Sequence, residues 1–174
     1  IQITLCSTLL YLYLTNNYEE ITTDLYNTNR AILQTRLGIA NLDINNYYEY
    51  AEPDEALKLT SLNLQIDIII KCILSHFGLS NDSLDNIKLA IANSIFNYNG
   101  AGEIDLSLIE VIEDIFTTYD SSGTLIDPSG NMSEIYSGVS ACVGILQFNS
   151  SSYDVATELV ELHKLFKSFD ALVS

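Results

Sequence analysis

The sequence predicts an all-α protein, a single compact bundle of six to seven helices formed by residues 1–174. Apolar residues recur at helical spacing in successive segments, and helix-capping residues or glycines separate these segments. After Thr15 no run alternates apolar and polar residues between hairpin turns, as half-buried strands do. Apolar residues make up 48% of the chain, which is enough for one sizeable core.

Residues 1–15 form an apolar N-terminal arm without a charged side chain. The stretch IQITLCSTLLYLYL is too short to span a bilayer and lacks the basic start of a signal peptide. We therefore expect the arm to pack against its own domain or against a neighbouring copy. Because the chain starts with Ile rather than Met, we also expect it to be processed or cut from a longer protein.

The core of the bundle is predicted to span residues 16–148. Asn16 and Asn17 are candidate caps of a first core helix, and Gly38 suits the left-handed position after its end. The apolar stripe of this helix consists of Ile21, Leu25, Ile32, Leu33 and Leu37. The polar and aromatic residues 42–52 are predicted to be a loop, and Pro53 suits the first position of the next helix.

That next helix is predicted to be central and buried on nearly all sides, because Ile68 and Ile70 widen its apolar face. The face itself consists of Leu62, Ile66, Ile69, Ile73 and Phe77, and Gly78 ends the helix. Ser80, Asn81 and Ser83 are alternative caps of a further helix, which Gly100 and Gly102 end. Its stripe is Leu84, Ile87, Ile91 and Ile95.

Three more helices complete the prediction. One carries Leu108, Ile112, Ile115 and Phe116, and the sequence DPSGN then turns the chain into another with Ile135, Val139, Cys142, Val143 and Leu146. Residues 151–173 are predicted to form a C-terminal amphipathic helix with the stripe Val155, Leu159, Leu162, Phe166 and Phe169.

The charge of the chain limits its partners. There are 23 acidic and 7 basic residues, which gives a net charge of −16. Such a surface repels phosphate backbones and anionic membranes, so neither nucleic acid nor a membrane is expected as a partner. The same repulsion keeps copies of the chain apart and soluble at neutral pH.

Cysteines and sequons indicate the compartment. Cys6, Cys72 and Cys142 are too few for a disulfide scaffold and form no CxxC pair, so they are candidates for one disulfide plus a free or intermolecular thiol. Cys72 and Cys142 fall on apolar faces and are expected to meet in the core, whereas any intermolecular bridge is expected to use Cys6. Candidate glycosylation sequons begin at Asn81, Asn131 and Asn149 and favour an extracellular protein.

The sequence offers no complete reactive motif. Cys72 and His76 are four residues apart, but zinc needs a third protein ligand, so no metal or cofactor is expected. A thiol–imidazole dyad of His163 with Cys72 or Cys142 is disfavoured, because cysteines on apolar stripes are usually core residues. Catalytic residues are therefore not expected.

Three weaker patterns also favour structural roles. The segment from Gly138 to Cys142 lacks the strand that a nucleophile elbow requires before its serine. Glu110, Glu113 and Asp114 are expected to be a solvated outer face of a helix. The segment from Thr118 resembles a calcium loop but has Ser129 at its twelfth position, where a bidentate acid is needed.

Three blocks of the sequence resemble a known family. They are LYNTNRAILQTRLGIA from Leu25, ILSHFGLSNDSLDNIKLAIANSI from Ile73, and IFTTYDSSGTLIDPSGNMSEIYSGVSA from Ile115. Their order and their glycine joints resemble the helical repeat domains of spider-silk proteins (spidroins), of the aciniform and tubuliform types. The resemblance implies a secreted, non-enzymatic structural protein, soluble when stored, that self-associates into an extracellular fibre or coating.

An extracellular carrier is the alternative function. In that case the helices enclose a small apolar ligand, and Tyr47, Tyr48 and Tyr50 control entry to its cavity. A sizeable internal pocket favours the carrier, whereas a filled core with apolar surface patches favours assembly.

Overall fold

The computed structural model describes residues 4–40, 53–125 and 131–147, and seven positions near the C-terminus. Those positions are Val160, Glu161, His163, Lys164, Lys167, Ser168 and Ala171, and all are helical. The described residues form a compact all-α domain of six helices without a strand, which confirms the predicted class. The helices are α1 (Leu5–Asn17), α2 (Thr23–Arg36), α3 (Pro53–Phe77), α4 (Leu84–Phe96), α5 (Ile109–Tyr119) and α6 (Met132–Ile145).

The N-terminal arm forms α1 and belongs to the core. Thr4 caps this helix: its side chain accepts a hydrogen bond from the backbone N–H of Ser7, and the Ser7 hydroxyl accepts one from the backbone N–H of Thr4. One face is buried against α2, α3 and α4, and it carries Cys6, Leu9, Leu10 and Leu14. The Tyr13 ring stacks on that of Phe96 of α4, with the two ring centroids 3.8 Å apart.

The predicted start of α2 is wrong. Asn16 and Asn17 are the last residues of α1, and Thr22 caps α2 by accepting a hydrogen bond from the backbone N–H of Leu25. Ile21 lies before the helix and is exposed, and so is Ile32. Helix α2 packs against α1 and α4 on one side. Of the predicted stripe, the fully buried residues are therefore Leu33 and Leu37, which directly follows the helix.

The prediction for α3 is confirmed. The helix begins at Pro53, and Gly78 follows its last residue with a φ of +61°. Three consecutive residues, Ile68, Ile69 and Ile70, are buried, so the helix is covered on most of its circumference. Its neighbours are α1, α4 and α6.

The ends of α4 differ from the prediction. A single 3₁₀ turn, Asn81–Ser83, leads into the helix, and neither Ser80 nor Ser83 makes a side-chain cap. The helix ends at Phe96, before Gly100 and Gly102. Those glycines instead lie beside α2, where the Arg36 guanidinium donates to the Gly100 carbonyl oxygen over 2.7 Å.

Helix α6 runs antiparallel to α3 and α5. At one end, the Phe116 ring lies 6.0 Å from that of Phe77 and 5.4 Å from that of Tyr136. At the other end, the Ser61 hydroxyl of α3 donates to the Leu146 carbonyl oxygen over 2.5 Å. The C-termini of α3 and α5 therefore meet the N-terminus of α6, and we call this end of the bundle the aromatic end.

Several predictions fall on residues outside the described ranges. They are the loop 42–52 with Tyr47, Tyr48 and Tyr50, most of the DPSGN turn, the sequon at Asn149 and the apolar stripe of the C-terminal helix.

Candidate functional site

Cys6 is a core residue of α1. It is 0% exposed, and its thiol donates to the side-chain oxygen of Asn63 over 3.4 Å. Burial raises the pKa of this thiol to about 12. The intermolecular bridge at Cys6 stays a prediction, and from this buried position the sulfur reaches a partner only if α1 leaves the core.

The other two cysteines are also free thiols. Burial, reinforced by the nearby Cys142, raises the pKa of Cys72 to about 12, and burial raises that of Cys142 as well. A nucleophilic cysteine needs a lowered pKa, so these surroundings oppose thiolate chemistry. His76 and His163 are exposed, and no group of three potential metal ligands occurs in the described part of the chain.

Ser140, the serine of the apparent elbow, lies inside α6. Its hydroxyl donates to the backbone carbonyl of Ser107, the residue before the α5 cap. A serine in mid-helix whose proton is held by a backbone oxygen lacks both the strained turn and the base of a hydrolase nucleophile. Its contact fixes α6 against the start of α5.

The segment that resembles a calcium loop is closed by its own side chain. Asp120 is buried, and its carboxylate accepts hydrogen bonds from the backbone N–H groups of Thr124 and Leu125, at 3.1 and 3.2 Å from Oδ1. These bonds orient the carboxylate toward the turn that ends α5. Gly123 within this turn has a φ of +66°.

An open cleft of about 530 Å³, lined by both polar and apolar side chains, lies between α3 and the residues before α5. At its rim, Lys58 pairs with Glu103 over 2.9 Å, and Gln147 donates to the Asp105 carboxylate over 2.5 Å. The described lining also includes Ser61, Leu62, Gln65, Ile104 and Leu106. This lining differs from the enclosed apolar cavity that a carrier of apolar ligands requires.

Three exposed apolar side chains lie on the two chain segments that meet at the junction of α5 and α6. Leu108 and Ile109 directly follow Ser107 in the chain, and Ile145 directly follows Gly144. These two segments lie close together, because a side-chain carbon added at Gly144 would be 3.9 Å from the Ser107 Cβ atom. Ile109 is 45% and Ile145 52% exposed. We call Leu108, Ile109 and Ile145 the α5–α6 patch.

The acidic side chains of α5 border this patch. Glu110, Glu113 and Asp114 are exposed, as predicted for a solvated face. Glu110 and Asp114 also line a cleft of about 200 Å³ together with Asn97 and Asn99. An apolar surface therefore adjoins negative charge on the same helix, an arrangement that repels a second copy while the carboxylates are ionised.

Comparison of the chain with protein-family models, with curated proteins and with solved structures finds no match. Within the described residues, no helix has both the length and the apolar character needed to cross a bilayer.

Proposed function

We propose that the chain is a non-enzymatic, secreted structural module of spidroin-repeat type that self-associates into an extracellular fibre or coating. The observation that carries the proposal is the α5–α6 patch beside the acidic face of α5. Apolar side chains exposed together are typical of surfaces that bind other proteins, and carboxylates beside them allow pH and salt to control that binding.

The interior of the bundle supports a structural role. Phe116 and large aliphatic side chains from five helices are fully buried, among them Leu10, Leu33, Ile69, Ile91 and Val143. A filled core stabilises a module that is stored at high concentration, since each fully buried large side chain contributes roughly 1.5–3 kcal/mol. The raised pKa values of the three thiols agree with the burial of Cys6 and Cys72 in the core and the partial burial of Cys142, and not with catalytic positions.

The carrier alternative has less support. The proposed entry tyrosines lie outside the described residues. The cleft of about 530 Å³ is open, and it carries charged and amide side chains beside Leu62, Ile104 and Leu106. Because this cleft is open rather than enclosed, an apolar ligand bound there would stay partly in contact with water.

The test compares the wild-type chain with the double variant Ile109→Ser/Ile145→Ser. Sedimentation velocity at pH 5 and in 1 M salt measures association, and circular dichroism verifies that the helices persist. We expect the wild-type chain to associate and the double variant to remain monomeric, because two of the three apolar side chains of the patch are replaced by polar ones.

The matched control is Ile32→Ser. Ile32 is an exposed isoleucine on α2, which packs mainly against α1 and α4 in the described part of the chain. This variant should associate like the wild-type chain. A double variant that associates normally overturns the role of the patch, and a wild-type chain that stays monomeric in all conditions overturns the assembly function.

A further inference from the structure

Two N-glycosylation sequons lie at the same end of the bundle. Asn81 starts the 3₁₀ turn after α3, four residues beyond Phe77, and Asn131 precedes α6, five residues before Tyr136. The ring centroids of Phe77 and Tyr136 lie 6.0 and 5.4 Å from that of Phe116, at the aromatic end. The antiparallel packing of α3 and α6 thus places two sequons that are 50 residues apart in sequence at one end of the molecule.

Both asparagines suit a folded glycoprotein. Each is exposed, and neither side chain makes a hydrogen bond within the described part of the chain. Glycosylation converts the side-chain amide into a bulky N-linked conjugate, so an amide that neither packs nor bonds can carry a glycan without loss of native contacts. The middle residues, Asp82 and Met132, are not proline, as the sequon requires.

A buried asparagine shows the contrast. Asn29 of α2 is 5% exposed, and its amide nitrogen donates to the Leu25 carbonyl oxygen over 2.9 Å. A glycan on this nitrogen would leave it a single N–H and, because the site is buried, would force apart the packing around it. Exposure in the folded state therefore separates the positions that tolerate a glycan from those that do not.

We infer that Asn81 and Asn131 are N-glycan acceptors and that they make the aromatic end a glycosylated face of the bundle. The inference rests on the proposed secretion of the chain. Since the α5–α6 patch lies where α6 ends, glycans at the start of α6 leave that patch uncovered.

The test expresses the full chain behind a secretion signal in a eukaryotic host, in the Asn149→Gln background. We expect secreted protein whose mass falls by two N-glycans on treatment with peptide N-glycosidase. Asn81→Gln and Asn131→Gln should each remove one glycan, and the glycosylated protein should keep the helical circular dichroism and at least the melting temperature of the bacterial protein. Absence of a glycan at either position, or a lower melting temperature with both present, overturns the inference.

The matched control is Ala31→Ser, which creates a sequon at the buried Asn29 by changing an exposed residue. We expect secreted protein of this variant to carry no glycan at Asn29, because glycosylated copies fail to fold. A glycan at Asn29 in secreted, folded protein would show that exposure does not select the sites, and the inference would fail. Association is tested on bacterial protein without glycans, so the proposed function can fail separately.

Discussion

The thiol of Cys6 connects burial to alkaline stability. Burial raises its pKa from about 9 to about 12, so between these values the unfolded chain loses the proton first. Stability from this group is complete below pH 9 and falls as pH rises toward 12, by about 1.4 kcal/mol per pH unit. When the pH is raised from about 7.5 to about 10.5, we expect the free energy of unfolding, measured with urea, to fall by about 2 kcal/mol more for the wild-type chain than for Cys6→Ala. Equal losses would contradict the burial of this thiol.

Gly38 and Gly78 separate backbone strain from steric contact. Both have positive φ, +69° and +61°. A side-chain carbon at Gly38 would lie 2.3 Å from the Glu103 carboxyl carbon, whereas one at Gly78 would meet no described atom within 4 Å beyond its chain neighbours. Gly78→Ala should cost about 1 kcal/mol of stability, from backbone strain alone. Gly38→Ala should cost slightly more, by at most about 1 kcal/mol, because the flexible Glu103 side chain must move from its surface ion pair with Lys58.

Thermal unfolding of both glycine variants measures this difference, with Gly38→Ala also made in the Glu103→Ala background. Removal of the Glu103 carboxylate should bring the cost at Gly38 down to that at Gly78. If the two single variants are equally stable, the close approach of Gly38 and Glu103 adds nothing to the cost of the substitution at Gly38.

At the scale of elements, α1 is expected to hold the bundle together rather than to act as a detachable arm. Leu10 is 1% exposed and faces the core, whereas its neighbour Tyr11 is 63% exposed. Leu10→Ala should reduce the free energy of unfolding by about 2–5 kcal/mol, and Tyr11→Ala by less than about 0.5 kcal/mol. Chemical denaturation checks both. Similar, small effects would mean that α1 is only loosely attached.

The junction between α2 and the segment after α4 depends on Arg36. Its guanidinium donates to the Gly100 carbonyl oxygen and lies 5.6 Å from the centre of the Tyr98 ring, while the Arg36 carbonyl oxygen accepts from the backbone N–H of Ile104 over 2.7 Å. Arg36→Lys preserves the charge but not the planar shape that suits both contacts. We expect hydrogen exchange of residues 97–104 to accelerate in this variant, with α5 and α6 unchanged. Unchanged exchange in residues 97–104 would show that Arg36 does not hold the junction.

For the whole molecule, the net charge of −16 predicts that acid and salt promote association. Carboxylates have reference pKa values near 4, so lowering pH from about 7 toward 5 begins to neutralise the surface. Salt acts in the same direction, because the screening length falls from about 8 Å at 0.15 M to about 3 Å at 1 M. The helices should persist, since apolar burial holds them. Light scattering recorded with circular dichroism measures both; helix loss before association would contradict the assembly function.

The sequence by itself determined the features that depend on neighbouring residues along the chain. Pro53 and Gly78 bound α3 as predicted, because a fixed φ favours a helix start and a left-handed φ favours glycine after a helix end. The unbroken burial of Ile68, Ile69 and Ile70 was predictable as well, since three consecutive isoleucines leave a helix without a polar side there.

Only the tertiary structure decided which helix faces are covered and which distant residues meet. Asn17 suits a helix cap in sequence but ends α1, and Ile32 suits a core but stays exposed, because no described helix covers that side of α2. The α5–α6 patch and the shared end of Asn81 and Asn131 depend on the antiparallel direction of α6. That direction is fixed by side chains far apart in sequence, such as the Ser61 hydroxyl at the Leu146 carbonyl, and periodicity within one helix carries no information about it.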